Sequence, residues 1–309
     1  MRKITVAICT YNRAGRLPTL VKTLRQQKCP ISSEILVVDN NSSDDTQEVL
    51  SELVQLDGMP LRFVRETKQG IVHARNRAID ESRNSAYLAF IDDDELPEPG
   101  WLNAAVDALD REGAECVGGE IRVSLPVTER PSWLEEELLP FLGEVKHSAE
   151  AFWITDRSTP VWSGNIAYRV SLFAEGLRFD HRYNRYGHAV GGGEDVIMLD
   201  SLLKQRVRIR YRPDMVIDHF IEGWKLRRSY FLKLHYELGW KTGRWGCEEY
   251  GRTLCGIPLF MIVQAIRQWR RALPMLLLSR SGRIRQAMNG AHALGMIAGR
   301  FQRWKDAQK

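Results

Sequence analysis

Two acidic clusters define the chemistry this sequence could perform. Asp92, Asp93 and Asp94 are consecutive and directly follow the apolar run 86–91. Successive side chains on extended backbone alternate faces, so the spacing predicts Asp92 and Asp94 on one side of the strand end and Asp93 on the other. Three adjacent carboxylates repel one another. A hard divalent cation, Mg²⁺ or Mn²⁺, relieves that repulsion and can also grip substrate phosphates. A solvated acidic turn is the plainer alternative, but the run sits where open α/β sheets bind ligands, which favours the metal. The second cluster is Gly191-Gly192-Gly193-Glu194-Asp195. Its glycines let backbone approach a ligand closely, and the acidic pair falls at the start of a helix expected over 195–204. A carboxylate presented there can accept a proton from an attacking hydroxyl, or simply cap the helix at the end of a flexible loop.

A third set consists of polar residues at strand ends. Thr10, Tyr11, Asn12 and Arg13 follow the first expected strand, Asp39, Asn41 and Ser42 the second, and Arg75 and Asn76 lie in the helix after the third. Each alone is ordinary turn or capping chemistry. Together they line one sheet edge as hydrogen-bond partners for a base, a ribose and a diphosphate. No GxGxxG follows the first strand and no P-loop occurs, so neither a dinucleotide site nor a Walker-type NTPase is indicated.

The elements that must position these residues alternate in the pattern of a mostly parallel sheet covered by helices. Strands are expected at 4–9, 34–39, 61–66 and 86–91, and helices at 17–27, 44–56, 70–82 and 100–112. Beyond 116 the pattern is less regular: strands at 116–123, 161–168 and 207–217, with a Trp-, Pro- and Glu-rich stretch over 126–158 read as loop with short helices. After His219 the chain is helical and basic. The expected division is an α/β domain over 1–222, with a nucleotide-binding half to about 120 and a second half beyond it, then a basic helical region over 223–309.

Composition narrows the classes. With 44% hydrophobic and 27% charged residues, the 309-residue chain falls outside disordered, collagen-like and polytopic membrane proteins. Its cysteines, Cys9, Cys29, Cys116, Cys247 and Cys255, form no CxxC pair and suit neither a disulfide framework nor a zinc site, which makes a reducing cytoplasm the default. The apolar stretch at the N-terminus is too short for a signal peptide. The net charge of +5 conceals an asymmetry: residues 224–309 hold 17 basic and 4 acidic residues (net +13), leaving 27 and 35 (net −8) elsewhere. In the basic region the apolar runs 255–266 and 273–278 are bordered by Arg and Trp. Both fall short of the roughly 20 residues that cross a bilayer, yet either can lie in its surface. Packing on the catalytic core or on another subunit is the alternative, and a nucleic-acid face is the least favoured of the three. The Ala-, Gly- and Met-rich stretch 287–299 suits close packing against a helix or lipid.

Taken in order, Cys9-Thr10-Tyr11-Asn12-Arg13, Val38-Asp39-Asn40-Asn41-Ser42, Ala74-Arg75-Asn76, Phe90-Ile91-Asp92-Asp93-Asp94 and Gly192-Gly193-Glu194-Asp195 resemble the family 2 glycosyltransferases of the GT-A fold. Within that family the chain resembles bacterial exopolysaccharide enzymes of the succinoglycan type. The resemblance implies a mixed, mostly parallel Rossmann-like sheet and an inverting, Mn²⁺- or Mg²⁺-dependent transfer of a hexose from a nucleoside-diphosphate sugar, most often a UDP-sugar. The acceptor it implies is a glycan or a polyprenyl-linked oligosaccharide, reached from the cytoplasmic face of the cell membrane. Residue by residue, it assigns Asp195 as catalytic base with Glu194 beside it. Thr10, Tyr11, Asn12, Arg13, Asp39, Asn41, Arg75, Asp92 and Asp93 become donor contacts, and Asp94, Asp92 and His219 metal or diphosphate ligands. Gly118, Gly119, Asn165, Gly192 and Gly193 would shape the sugar or acceptor pocket. A sugar-phosphate nucleotidyltransferase and a non-catalytic sugar-nucleotide-binding scaffold are the alternatives.

Overall fold

A computed structural model gives the structure of the chain and describes residues 2–126, 130–186, 189–246, 248–277 and 283–308. The chain divides into two compact units. The first comprises Met1–Pro126, Glu136–Gly187 and Glu194–Ile221, and the second Val127–Glu135, His188–Gly193 and Glu222–Lys309.

The first unit opens with alternating strands and helices: β1 (Lys3–Thr10), α1 (Leu17–Arg25), β2 (Ser32–Asp39), α2 (Thr46–Val54), β3 (Leu61–Arg65), α3 (Ile71–Glu81) and β4 (Tyr87–Asp92). It continues through β5 (Glu95–Pro97), α4 (Trp101–Asp110), β6 (Cys116–Ser124), β7 (Phe152–Ile154), β8 (Ile166–Arg169), α5 (Glu194–Lys204) and β9 (Ile209–Phe220). These strands form one nine-stranded sheet in the order β3-β2-β1-β4-β8-β6-β9-β5, with β7 also paired to β9. The β3-β2-β1-β4 half is parallel throughout. Its inner strands are near-continuous apolar runs because helices cover both faces: Ile4, Val6, Ala7 and Ile8 of β1 and Ile35, Leu36, Val37 and Val38 of β2 are wholly buried. The other half is mixed, with β8 antiparallel to β4 and β6, and β6 parallel to β9.

Three departures from the sequence expectation shape the site. Residues 161–168 give only the short strand β8, because the Asn165 amide donates to the Trp162 carbonyl (3.0 Å) in a turn at Ser163 and Gly164. Conversely, β9 runs on to Phe220, since its second half is flanked by β6 and by the three-residue strand β5, which the apolar pattern does not reveal. Alternation along β4 also stops at Asp92: Asp93 and Asp94 occupy a turn, so the expected two-faced display of the three aspartates gives way to three separate directions.

The second unit contains α6 (Arg228–Lys241), α7 (Leu259–Leu277) and α8 (Arg283–Ala307), with a small hairpin of β10 (Thr253–Leu254) and β11 (Ile257–Pro258) before α7. Helix α8 crosses α6 at very short range. Cβ atoms added to Gly239 of α6 and to Gly243 in the turn that continues it would lie 2.1 and 2.2 Å from the carbonyl oxygens of His292 and Met296, and ones added to Gly295 and Gly299 of α8 would lie 2.0 Å from those of Tyr236 and Trp240. Two small-xxx-small faces therefore meet backbone to backbone, which answers the expectation for 287–299 in favour of a helix partner. Cys9, Cys29, Cys116 and Cys255 are free thiols, and Cys247 lies outside the described residues.

Candidate active site

The site begins with a buried cation. Arg75 stands in the second turn of α3 and is 2% exposed. The start of that helix is fixed by a compact knot. Gly70, at φ +125°, donates its amide to Asn40 Oδ1 (2.6 Å), and Asn184 Oδ1 accepts the Val72 amide (3.1 Å). A Cβ on Gly70 would lie 2.1 Å from the Asn184 amide nitrogen, so only glycine admits this approach. Asn76 then exchanges two hydrogen bonds with the backbone of Phe179 (3.0 and 2.9 Å), whose ring lies beneath the Arg75 guanidinium at 5.5 Å.

From there Arg75 reaches three carboxylates carried by two segments that lie far apart in sequence. Nη1 donates to Glu194 Oε1 and to Asp195 Oδ1, both at 2.9 Å, and Nη2 to Asp92 Oδ1 at 3.3 Å. The end of β4 and the start of α5 thus share one cation. Burial alone would disfavour charge on Arg75, but the three surrounding carboxylates hold its pKa well above the usual arginine value.

Glu194 and Asp195 are not equivalent. The Glu194 side chain is 4% exposed and that of Asp195 23%, so Asp195 is the one that a substrate hydroxyl can reach. Ser163 Oγ also donates to Asp195 Oδ1, from the turn before β8. Both bonds fall on Oδ1, and Oδ2 carries no hydrogen bond from the described residues. Burial raises the Asp195 pKa above the ordinary carboxylate range, against the lowering effect of Arg75. A half-desolvated carboxylate with one free oxygen is a competent proton acceptor. Glu194, by contrast, serves as a buried counter-charge that holds Arg75.

The remaining aspartates diverge. Asp93 turns inward and accepts from Thr10 Oγ1 (2.7 Å) at the end of β1. Burial, aided by the neighbouring Asp94 charge, pushes its pKa up to about 7. Glu95, missed in the sequence reading because it passes for the tail of the acidic run, is buried and accepts the Asp92 amide on Oε2 (2.8 Å). A Cβ on Gly164 would lie 2.3 Å from the Glu95 carboxylate, so the Ser163-Gly164 turn closes directly over it. The β5–β9 register pairs Glu95 with His219, and as a result Asp94 Oδ2 lies 3.6 Å from His219 Nε2.

That carboxylate and imidazole are the residues able to hold a metal. Among the described residues no cluster of three or more His, Cys, Asp or Glu side chains has metal-binding geometry. A two-residue hold fits a divalent cation whose other positions go to substrate phosphates and water. The far side of the imidazole is closely packed: Gly143, at φ +99°, would place a Cβ 3.1 Å from His219 Nδ1. Asp92, also expected among the ligands, is engaged through Oδ1 by Arg75 on the side of Asp195.

The residues expected on the nucleotide side gather at the ends of β1 and β2. Asn12 (φ 53°) and Asn41 (φ 64°) both take left-handed backbone, which asparagine tolerates better than most residues. The Asn12 amide donates to Ser42 Oγ (2.9 Å), and its Oδ1 accepts the Ser43 amide (2.8 Å). Asn41 Oδ1 accepts from Arg65 (2.8 Å). Tyr11 and Arg13 are half-buried beside them, and the Arg13 charge acts on Asp93. Asp39 is fully buried and holds the Ser42 amide (2.9 Å) and Gln47 (3.1 Å), so it shapes this turn from beneath.

The residues expected around the sugar or acceptor pocket are engaged within the fold. Asn165 is wholly buried, with Oδ1 accepting from Trp101 Nε1 (2.7 Å) and Nδ2 donating to the carbonyls of Glu120 and Met215 (both 2.8 Å), which leaves nothing for a sugar. Cβ atoms on Gly118 and Gly119 would lie 2.5 Å from Val161 and 1.8 Å from the Met215 carbonyl, so both glycines serve strand packing at the bulge of β6. Gly192 belongs to the second unit, where Lys241 Nζ donates to the carbonyls of Gly191 (2.8 Å) and Gly192 (2.6 Å). Gly193 adopts φ +91° and leads directly into Glu194.

The sheet order and the strand-end acids define a GT-A fold. PcManGT, a mannosyltransferase from Pyrobaculum calidifontis solved in complex with GDP-Man and Mn²⁺, superposes with a TM-score of 0.53 at 18% identity, over 98% of this chain and 73% of that one. The sequence profile of Glycosyl transferase family 2 matches residues 5–177, more than half of the chain, and the protein belongs to that family. It is 29% identical over 249 residues to the succinoglycan biosynthesis protein ExoM of Rhizobium meliloti, a match covering 78% of this chain and 74% of that protein. It is also 33% identical over 119 residues to the GalNAc(5)-diNAcBac-PP-undecaprenol beta-1,3-glucosyltransferase of Campylobacter jejuni, covering 38% of each chain. The matches therefore span between about two fifths and three quarters of these relatives' lengths.

Proposed function

We propose that the protein is an inverting, metal-dependent glycosyltransferase that moves a hexose from a nucleoside-diphosphate sugar to a lipid-linked glycan in polysaccharide biosynthesis. The observation that carries this reading is the Arg75 junction, where one guanidinium contacts both Asp92 from the run of three aspartates and Asp195 from the α5 start. The base is read by the β1 and β2 ends, from Thr10 to Arg13 and at Asn41, over the turn that Asp39 organises. Asp94 and His219 would hold Mn²⁺ or Mg²⁺, which, when bound, neutralises the negative charge that develops on the departing diphosphate. Asp195 Oδ2 accepts the proton of the acceptor hydroxyl as that oxygen bonds to the anomeric carbon. The bond from that carbon to the diphosphate oxygen breaks on the opposite face, and its electron pair leaves with the phosphate. One such displacement inverts the anomeric carbon. Arg75 holds the carboxylate ionised and aimed.

The acceptor class is supported by the Campylobacter relative, named for action on an undecaprenol-diphosphate-linked glycan, and by ExoM, named for succinoglycan biosynthesis. Metal use is supported by the Mn²⁺ in the PcManGT complex. An acceptor of this kind places the enzyme at the cytoplasmic face of the cell membrane. A thermal-shift panel of nucleotide sugars, with and without Mn²⁺, tests the reading, because ligand at 100 times its Kd adds about 2.7 kcal/mol of stability. A UDP- or GDP-sugar should raise the midpoint only with Mn²⁺, and Asp94→Ala or His219→Ala should abolish that metal dependence. Stabilisation by a nucleoside triphosphate and a sugar phosphate, with none by any nucleotide sugar, would point to a nucleotidyltransferase instead.

A further inference from the structure

We infer that the outward face of α7 is a docking surface for an anionic lipid bilayer. The inference deepens the membrane-surface reading above and rests on it for its biological sense. Within the second unit, Met261, Ala265 and Ala272 are the buried positions among the described side chains of α7, and Trp269 and Gln268 turn the same way: Trp269 Nε1 donates to the Gly290 carbonyl of α8 (3.2 Å), and Gln268 accepts from Gln286 of α8. Helix α8 in turn spends its glycine face on α6. The opposite side of α7 is left to solvent. Leu259, Phe260, Val263, Ile266 and Leu273 are each 47–60% exposed there, and the spacing 259, 263, 266, 273 keeps the aliphatic ones on one helical stripe. Leu254, in the hairpin just before the helix, is equally exposed.

The charge pattern selects the occupant. Arg267 and Arg271 border this stripe and Arg270 falls within it, all three exposed. Between residues 250 and 305 the sequence carries ten Lys or Arg and no Asp or Glu. A second copy apposed through this face would set one such cationic segment against another. Nucleic acid would satisfy the arginines but leave a row of leucine, isoleucine, valine and phenylalanine in water. An anionic bilayer satisfies both, taking the apolar stripe below its headgroups while the arginines extend to lipid phosphates. No helix among the described residues is long and apolar enough to cross a membrane, so α7 lies along the surface. Its 19 residues form a cylinder about 28 Å long, enough to fix the orientation of the unit on the membrane.

Vesicle co-sedimentation with the full chain tests this, using phosphatidylcholine alone and phosphatidylcholine mixed with phosphatidylglycerol. The protein should pellet with the mixed vesicles at least about tenfold more strongly than with the neutral ones, and added salt should weaken that binding. The double substitution Val263→Asp with Ile266→Asp, at exposed positions, should lower binding about tenfold or more while circular dichroism and the thermal midpoint stay unchanged. Replacing Arg267, Arg270 and Arg271 together by Gln should lower it several-fold and flatten the salt dependence. Equal binding by the variants, or no binding by the unaltered protein, overturns the inference. So does a shift from dimer to monomer in the aspartate variant, which would assign the face to a second copy, or a loss confined to nucleic-acid binding. The assay contains neither donor nor acceptor. A failure here is thus distinct from a failure of the transferase reading, which turnover of a water-soluble acceptor by the aspartate variant examines separately.

Discussion

Replacing Arg75 by Met should move the acidic limb of the transfer reaction to higher pH. In the native site the guanidinium touches Asp195 Oδ1 at 2.9 Å, which sets the charge centres about 4 Å apart. At an effective dielectric constant of about 20, Coulomb's law gives about 4 kcal/mol for unit charges at that separation. Asp195 is partly open to water, so about half of this is retained, or about 1.5 pH units. The sign follows from the charge: the cation favours the carboxylate form of Asp195, and its loss raises a pKa that burial has already raised. A base must be ionised to accept a proton, so the rate should fall as pH drops through that value. The variant should therefore lose its activity at a higher pH than the unaltered protein as the pH is lowered, and recover it as the pH is raised. Arg75→Met also leaves Asp92, Glu194 and Asp195 without their shared counter-charge, at a cost to folding of about 3–5 kcal/mol, which urea unfolding reads independently. Arg75→Lys restores the charge without the fork, and its limb should fall between those of the other two proteins. A pH–rate profile unmoved in a folded Met variant would refute the argument that Arg75 controls the ionisation of the base.

Other consequences follow from single contacts. Ser163→Ala removes the hydroxyl that donates to Asp195, and should raise the acidic limb by about one pH unit with the donor KM unchanged. Gly119→Ala would press a Cβ within 1.8 Å of the Met215 carbonyl, so β6 and β9 must separate at the bulge; denaturant unfolding should show a loss of about 3 kcal/mol or more. Asn165→Ala strands the Trp101 indole and two carbonyls in the core, and should cost about 2–4 kcal/mol of stability, with little effect on the affinity for donor in protein that remains folded. Glu194→Gln keeps the shape but halves the acidic pair; it should lower the Asp195 pKa and shift the acidic limb downward, the reverse of the Arg75 effect.

Much of the parallel half was legible in the sequence because its strands are buried on both faces and its helices on one. Period and turn chemistry then place β1 to β4 and the polar residues at their ends. The mixed half was less legible. β5 is three residues long and exists because β9 extends far enough to pair with it, a long-range event that no local pattern encodes. That pairing delivers His219 to Asp94, so the proposed metal pair rests on family resemblance and not on periodicity. Asn165 and the glycines of β6 illustrate the opposite failure: polar or glycine residues at strand ends resemble a pocket, but their hydrogen bonds and close contacts are consumed by the fold. Ser163 and Glu95 carried faint signals, one as a small polar residue before glycine, the other as a fourth acid after three. Their roles depend on the turn that stacks Gly164 over the Glu95 carboxylate, which requires coordinates to see.

The claim on which the rest depends is that Asp195 is the base of a site whose donor grip lies elsewhere, at the β1, β2 and β4 ends. Steady-state transfer and donor titration by Asp195→Asn, in the presence of Mn²⁺, test it most directly. The account predicts a fall in kcat of about a thousandfold or more, with the donor Kd within about twofold of the unaltered protein. Transfer at an undiminished rate, or loss of donor binding in step with turnover, would contradict it.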